Sequence, residues 1–290
     1  MRLDRSFIAI RQRSMLETLD LALKVLRRYA RQLLIFLIIG AVPLGALNFF
    51  LTAEFPFESG QNGWMNLLLV LAEAQLGTLF VTSFLGQAMF VGDPKTSVVI
   101  REVLHSWASI FYLHGFLRCA GVVIGLVAFA GIAESSDGAT MLIWFAGLTA
   151  CLGVLIRVLR PFVTEILILE KAPWRRRPNL EISFGKRSQA MHGSIGGETI
   201  SIGLVMLFFS APLLASFYGT LSNAFELLGI PREVAWVHSG ILWQSALWLV
   251  AGFWAIVRFL FYVETRIQQE GWEVELKIRA ASIKLASEAH

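Results

Sequence analysis

Six long apolar stretches divide this chain, and each is long enough to cross a lipid bilayer as a helix. They cover residues 33–51, 64–90, 110–132, 141–163, 200–221 and 237–263. A helix needs roughly 20 apolar residues to cross the hydrocarbon core, because it rises only about 1.5 Å per residue. With 56% apolar and 16% charged residues, 290 residues also carry too little polar surface for a soluble domain. The sequence therefore predicts an all-α, multi-pass integral membrane protein, with one membrane domain over residues 1–290 and its bundle over residues 33–263.

The basic residues sort to one side of this layout. When the chain is threaded through the six stretches, Arg232 is the only one of the 25 Lys and Arg residues on the opposite side. Short loops rich in Lys and Arg stay in the cytoplasm. We therefore expect six spans in three hairpins, both termini in the cytoplasm, and residues 264–290 as a cytoplasmic tail.

Two of the cytoplasmic segments have the pattern of amphipathic helices. Residues 14–17 (Ser-Met-Leu-Glu) form a capping box, and leucines then recur at spacings of three and four with arginines on the other faces. This predicts an amphipathic helix over residues 14–31 on the membrane surface, running into a first span that Pro43 should kink. Asp93-Pro94 predicts the start of a second short helix, over residues 95–107.

A polar stripe follows the second span. Asn66, Glu73 and Gln87 fall close to one helix face, and Ser83 lies at the edge of the stripe. Glu73 lies near mid-bilayer, where an ionisable group costs several kcal/mol unless it is paired, hydrated or protonated. The stripe indicates either a pathway for an ion, proton or substrate, or a hydrogen-bonded clamp between helices. A second polar face on the same span predicts that it lies inside the bundle.

Eleven basic residues are candidate contacts for anionic lipid headgroups or for a partner. They are Arg27, Arg28, Arg31, Arg118, Arg157, Arg160, Arg175, Arg176, Arg177, Lys186 and Arg187. Arg118 lies inside the third span, where its long side chain either reaches the inner headgroups or pairs with Glu73. For the run at residues 175–177, a basic loop on an anionic leaflet is one interpretation, and a phosphate or protein site is the other.

The sequence lacks the common signatures of catalysis and metal binding. The five His residues are scattered along the chain, and no P-loop, HExxH or GxSxG motif is present. No nucleic-acid-binding module is recognisable either. We therefore expect no metal, no cofactor and no nucleic-acid partner.

Two short patterns resemble those of a known group of proteins. They are RPF at residues 160–162 with EILILE at 165–170, and YVETRI at 262–267 with EGWEVEL at 270–276. These resemble span ends in uncharacterised bacterial six-span membrane proteins, some of them grouped with the membrane domain associated with glycerophosphodiester phosphodiesterases. The resemblance implies a multi-pass fold in the bacterial inner (cytoplasmic) membrane and an accessory role. It carries no catalytic residues, since the hydrolase chemistry belongs to a separate domain.

These observations favour a non-enzymatic scaffold or accessory subunit of a bacterial inner-membrane assembly. Its expected partners are membrane lipids with anionic headgroups on the cytoplasmic face, together with another protein or a second copy of the chain. The first alternative is a transporter or channel-like carrier that uses the polar stripe of the second span. The second alternative is a membrane enzyme acting on lipids.

Overall fold

The computed structural model describes residues 14–54, 59–91, 94–114, 160–171, 183–193, 196–229 and 235–270. Several predictions fall outside these residues: most of the spans at 110–132 and 141–163, Arg118, Arg157, Arg175, Arg176, Arg177 and the tail from residue 271.

The described residues form helices and connecting turns, with no strand among them. In chain order the helices are α1 (Met15–Glu54), α2 (Ser59–Gly77), α3 (Leu79–Val91), α4 (Thr96–His105), α5 (Trp107–Ile110), α6 (Val163–Glu165), α7 (Phe184–Gly193), α8 (Gly196–Leu227) and α9 (Ala235–Glu270). Helix α6 runs directly into a π-helical turn, Ile166–Glu170.

Four helical stretches among these are long and apolar enough to cross a membrane. They are Met15–Thr52, Gly63–Met89, Ile200–Leu227 and Gly240–Gln269. These match the predicted spans 1, 2, 5 and 6, so an all-helical fold with four candidate membrane-crossing helices is confirmed for this part of the chain. The count of six spans and their grouping into three hairpins stay predictions.

Helix α1 joins the amphipathic segment and the first span. The expected capping box is present: the Ser14 amide donates to Glu17 Oε2 at 3.2 Å, and the Glu17 amide donates to Ser14 Oγ at 3.3 Å. The helix is kinked at Tyr29 (φ −114°, ψ 21°), whereas the backbone around Pro43 stays helical. The backbone thus departs from helical angles where the amphipathic segment meets the span, and the bend at Pro43 stays a prediction.

Helix α9 is the centre of the bundle. In its most apolar stretch 78% of residues are buried, compared with 67% for the α2–α3 span and none for α8. Helices α1, α2, α3 and α8 all pack against α9. The prediction that the second span lies inside the bundle is confirmed, and the last span is buried even more completely.

Two glycines face each other where α1 packs against α2. A Cβ atom on Gly40 would lie 2.1 Å from the Gly77 carbonyl oxygen, and one on Gly77 would lie 2.2 Å from the Trp248 ring. Only glycine fits at both positions, because any side chain would overlap the facing helix. Helices α1, α2 and α9 are thus in direct contact at one level of the bundle.

The contacts between helices define two ends of the bundle. At one end Trp243 donates to the Gly63 carbonyl at 3.0 Å, and at the other Tyr29 packs edge-on against Phe84 with ring centroids 5.6 Å apart. Every Lys and Arg of the described residues lies toward the second end, which we call the charged end. This agrees with the charge sorting seen in the sequence, while the side of the membrane that this end faces stays a prediction.

Two boundaries differ from those predicted. Helix α4 begins at Thr96, after an extended Lys95, so the Asp93-Pro94 pair does not start it. The second span is interrupted by a turn at Thr78. Residues 164–170, which follow the predicted end of the fourth span, pack against the bundle, and the side chains of Ile166 and Ile168 are fully buried.

Candidate functional site

Glu73 has a hydrogen-bond donor on the neighbouring span. Asn48 Nδ2 donates to Glu73 Oε2 at 2.9 Å, and the two side chains are 0% and 3% exposed. Asn48 comes from α1 and Glu73 from α2, so the bond ties two membrane-crossing helices together. Since a carboxyl group in this setting is costly without a partner, the amide lowers the cost of placing it there.

Several buried polar atoms near the Asn48–Glu73 bond have no hydrogen-bond partner among the described residues. Asn48 Oδ1, Gln244 Nε2 and Trp248 Nε1 are buried and have no hydrogen-bond partner among the described residues. Gln244 and Trp248 face Gly45 of α1, where a Cβ would lie 3.8 Å and 3.7 Å from their nearest atoms. Gly45 is three residues before Asn48, so the two positions share one helix face. Unpaired donors and an unpaired acceptor therefore gather close to the Asn48–Glu73 bond.

The predicted stripe divides into two sites at the Thr78 turn. Asn66 and Glu73 lie before it and are buried. Ser83 and Gln87 lie after it, where Ser83 Oγ donates to Glu102 Oε2 at 3.1 Å and Gln87 Nε2 donates to the same atom at 2.6 Å. The second half of the stripe therefore serves a carboxylate on α4 and does not face Glu73.

Glu102 is held in its ionised form. Burial would raise the pKa of its carboxyl group, but the Lys171 ammonium, 2.8 Å from Oε1, and the hydrogen bonds from Gln87 and Ser83 outweigh that effect. The pKa of Glu102 consequently lies below its ordinary value.

Two further carboxylates organise the charged end. Glu165 is fully buried, and its Oε1 accepts a bond from Arg258 Nε at 2.7 Å. Glu170 accepts bonds from Arg187 Nη2 at 2.9 Å and from the Tyr262 hydroxyl at 2.7 Å. The two sequence patterns that carried the family resemblance, at residues 160–170 and 262–267, are therefore in direct contact.

The predicted basic contacts do not behave alike. Arg27, Arg28, Arg31, Arg160 and Lys186 are exposed at the charged end, in keeping with contacts to headgroups or a partner. Arg187 is different because Glu170 binds its guanidinium group and its side chain is only 18% exposed.

A cavity of about 260 Å³ lies between α3, α4, the π-helical turn and α9. Its polar wall carries Gln87, Glu102, Tyr262 and Arg266. The rest of the wall is apolar and includes Met89, Val91, Leu169, Phe259 and Val263. It is thus an amphipathic cavity at the charged end.

Two histidines have structural roles at the same end. His192 Nε2 accepts a bond from the Phe162 amide at 3.2 Å, while its Nδ1 lies 2.6 Å from the Ser188 carbonyl oxygen and so carries the proton. His114 contacts Thr164 at 3.3 Å. Within the described ranges no three metal-binding side chains come together.

Sequence reasoning missed the partners of the polar groups. Asn48 had a signal, since it is the only side chain in the stretch 33–51 with hydrogen-bonding groups. Glu102, Glu165 and Glu170 had no such signal, because carboxylates near span ends are common. Their partners are also distant in the sequence, since Lys171 lies 69 residues after Glu102 and Arg258 lies 93 residues after Glu165.

When compared with known proteins, the chain matches no family model, no curated protein and no solved structure.

Proposed function

We propose that this chain is a non-enzymatic membrane protein that serves as a scaffold or accessory subunit of a bacterial inner-membrane assembly. The observation that supports this most is the charged end. There Glu165 and Glu170 fasten the 160–171 segment to Arg258 and Arg266 of α9 by ion pairs. Arg27, Arg31 and Lys186 are exposed. A fixed platform surrounded by basic side chains suits recruitment of a partner at an anionic membrane surface.

The chemistry of the platform also favours a structural role. Glu165, Glu170 and Glu102 each accept bonds from basic side chains, as stabilising ion pairs do. A general acid or base needs a pKa near the working pH. Glu102 does not meet this requirement, because Lys171, Gln87 and Ser83 lower its pKa below its ordinary value. The bacterial inner membrane as its location rests on the resemblance of residues 160–170 and 262–276.

Affinity purification of the full chain in a mild detergent tests this proposal. After cross-linking, mass spectrometry should find one partner or a second copy in stoichiometric amount. Changing Arg27 and Arg31 together to Glu should reduce that recovery, whereas Lys24→Gln, which breaks an exposed pair with Asp20, should not. A protein that is always recovered as a lone monomer would refute the proposal.

A carrier that uses Glu73 is the second candidate, and one observation favours it. The unpaired atoms of Asn48, Gln244 and Trp248 gather beside the Asn48–Glu73 bond at a membrane depth where polar atoms are normally satisfied. Such atoms suit a transient polar guest, such as water, a proton carrier or a small solute.

A flux assay in liposomes decides between the two candidates. A carrier should move protons or a small cation across the bilayer, and Glu73→Gln should abolish this movement without loss of fold, because glutamine retains the shape of the side chain. Glu17→Gln, an exposed change in the capping box, is the matched control. Absence of flux with the unchanged protein would end the carrier hypothesis.

A further inference from the structure

We propose that His192 is an acid-sensitive latch, which holds the end of α7 against the 160–171 segment while its ring is neutral and releases it on protonation. The inference goes beyond the scaffold role, because it assigns a response to acidity to the charged end and requires no particular partner.

The hydrogen bonds of the His192 ring require its neutral form. Its Nε2 accepts a bond from the Phe162 amide at 3.2 Å, and its Nδ1 lies 2.6 Å from the Ser188 carbonyl oxygen. A carbonyl oxygen only accepts, so the proton is on Nδ1 and the lone pair is on Nε2. The Phe162 amide cannot reverse its role, because a backbone N–H only donates. A second proton, on Nε2, would place two donors face to face and break the bond.

The bond holds a residue that is packed between two parts of the fold. Phe162 lies in the turn before α6, and its side chain is 2% exposed. Its ring stacks on the His192 ring with centroids 5.6 Å apart, and it meets the Tyr262 ring edge-on at 5.9 Å. The His192–Phe162 contact therefore joins the end of α7 to a side chain that packs on α9.

The other described attachments of α7 do not respond to mild acid. Arg187 is paired with Glu170, and Gln269 Nε2 donates to the Met191 carbonyl oxygen at 3.1 Å. Arginine stays charged, an ordinary carboxyl group titrates well below neutral pH, and an amide does not titrate. Imidazole is the side chain that ordinarily changes charge between about pH 5 and 8. Mild acid thus acts on the His192 bond, while the Arg187–Glu170 pair still holds α7.

The charges around α7 also oppose a protonated ring. Helix α7 packs against the π-helical turn and α9. On α7, the 160–171 segment and α9, the described basic side chains outnumber the acidic ones: Arg160, Lys171, Lys186, Arg187, Arg258 and Arg266, against Glu165, Glu170 and Glu264. Glu165 and Glu170 are already paired with arginines. A further positive charge on the ring is therefore unfavourable while the latch is closed.

The direction of the pH effect follows from these contacts. The closed latch binds one proton fewer than the open one, so it is favoured at a pH above the ordinary imidazole value. Below about pH 6.5, each further unit of acidity raises the ratio of open to closed latch by up to about tenfold.

The latch lies where the acidity of the solution can act on it. His192 is partly exposed and Gly193, which follows it, is exposed. Helix α7 lies outside the four candidate spans, and it carries Lys186, one of the exposed basic side chains of the charged end. Opening the latch thus alters the surface that the scaffold role assigns to a partner.

Hydrogen–deuterium exchange of the full-length protein, in nanodiscs of a zwitterionic lipid, tests this proposal. Mass spectrometry follows peptides from residues 160–170 and 184–193 at about pH 8 and about pH 5, with exchange expressed relative to the intrinsic rate at each pH. In the unchanged protein these peptides should exchange about tenfold faster at the lower pH, because the open latch is more populated there.

Variants assign the response to His192. In His192→Gln the amide oxygen can accept the Phe162 bond and does not titrate, so exchange should be slow at both pH values. His192→Phe keeps a ring to stack on Phe162 but accepts no bond, so exchange should be fast at both. His105→Gln changes an exposed histidine of α4 and should keep the full response. If acid does not speed exchange in the unchanged protein, or if it still does so in both His192 variants, the proposal is overturned.

Discussion

Arg258 reaches across the bundle to Glu165, and its Nε lies 2.7 Å from the Oε1 atom of a carboxylate with no exposed surface. The same guanidinium group is 3.4 Å from the Thr82 hydroxyl of α3. A single side chain of α9 thus connects three parts of the chain that are far apart in sequence. Its side chain is only 11% exposed and makes its contacts inside the protein.

Breaking this pair from one side should be strongly destabilising. Arg258→Gln leaves Glu165 as a buried carboxylate without its cation, which typically costs about 3–5 kcal/mol. We expect Arg258→Gln to lower the thermal midpoint substantially in detergent, as followed by circular dichroism. The double variant Glu165→Leu, Arg258→Leu should be less destabilised, because neither charge remains to be desolvated.

The exposed pair between Lys24 and Asp20 provides the comparison. Its Nζ–Oδ2 distance is also 2.7 Å, but the side chains are 71% and 62% exposed. Lys24→Gln should therefore leave the midpoint nearly unchanged. If Arg258→Gln leaves the midpoint as unchanged as Lys24→Gln does, the buried pair does not stabilise the fold.

The contact between Gly40 and Gly77 should tolerate no added carbon. Gly40→Ala places a Cβ against the Gly77 carbonyl oxygen, which is backbone and cannot rotate away. To relieve this overlap, α1 must move away from α2. The free energy of unfolding should fall by about 1–3 kcal/mol, which is the usual cost of overpacking. Gly219→Ala on α8 is the control, because nothing lies within 4 Å of the added atom. Since alanine favours helix over glycine, that variant should be at least as stable as the unchanged protein.

Much of the helical layout could be predicted from the sequence, because it depends on local composition. The apolar stretches at 33–51, 64–90, 200–221 and 237–263 all correspond to helices long enough to cross a membrane. The capping box at Ser14 also depends on neighbours within three residues, and it was found where expected. Element ends were less accurate, since α4 begins at Thr96 and not at the Asp93-Pro94 pair.

The partners of the polar groups could not be predicted in the same way. Glu73 was recognised as an unusual intramembrane carboxyl group, but its donor Asn48 depends on how α1 and α2 align. Ser83 and Gln87 were placed on the stripe of Glu73 by helical geometry, and the Thr78 turn and the position of Glu102 on α4 give them another role. Periodicity identifies a face, whereas its partner is determined by the packing of the whole bundle.

The hydrogen bond between Asn48 and Glu73 should contribute to the stability of the fold. Asn48→Leu removes the donor and leaves a buried carboxyl group less satisfied, at a cost of about 1–3 kcal/mol. The double variant Asn48→Leu, Glu73→Leu should recover most of this, because both polar groups are then absent. Unfolding in detergent is measured for the unchanged protein, for Asn48→Leu and Glu73→Leu alone and for the double variant, and Thr220→Val, an exposed change on α8, is the control. Additive losses in the double variant would show that the two side chains do not interact energetically.

Stability should depend on acidity through Glu102. Its pKa in the folded protein lies below the ordinary value of 4.5, so the folded state favours the ionised carboxylate more than the unfolded chain does. The stabilisation is therefore complete above the ordinary pKa and is lost as the pH falls through the lower, folded value. Thermal midpoints of the unchanged protein and of Glu102→Gln should differ at neutral pH and converge as the pH is lowered below 4.5.

Lys171 provides the matched control for this dependence. It lies 2.8 Å from Glu102 Oε1 and contributes both a hydrogen bond and a positive charge to the lowered pKa. In a Lys171→Gln background the same comparison should show a smaller difference at neutral pH that disappears at a higher pH, because less of the stabilisation of the carboxylate remains. A difference that is unaffected by acid, or by loss of Lys171, would mean that the ionised form of Glu102 is not what holds α4 against α3.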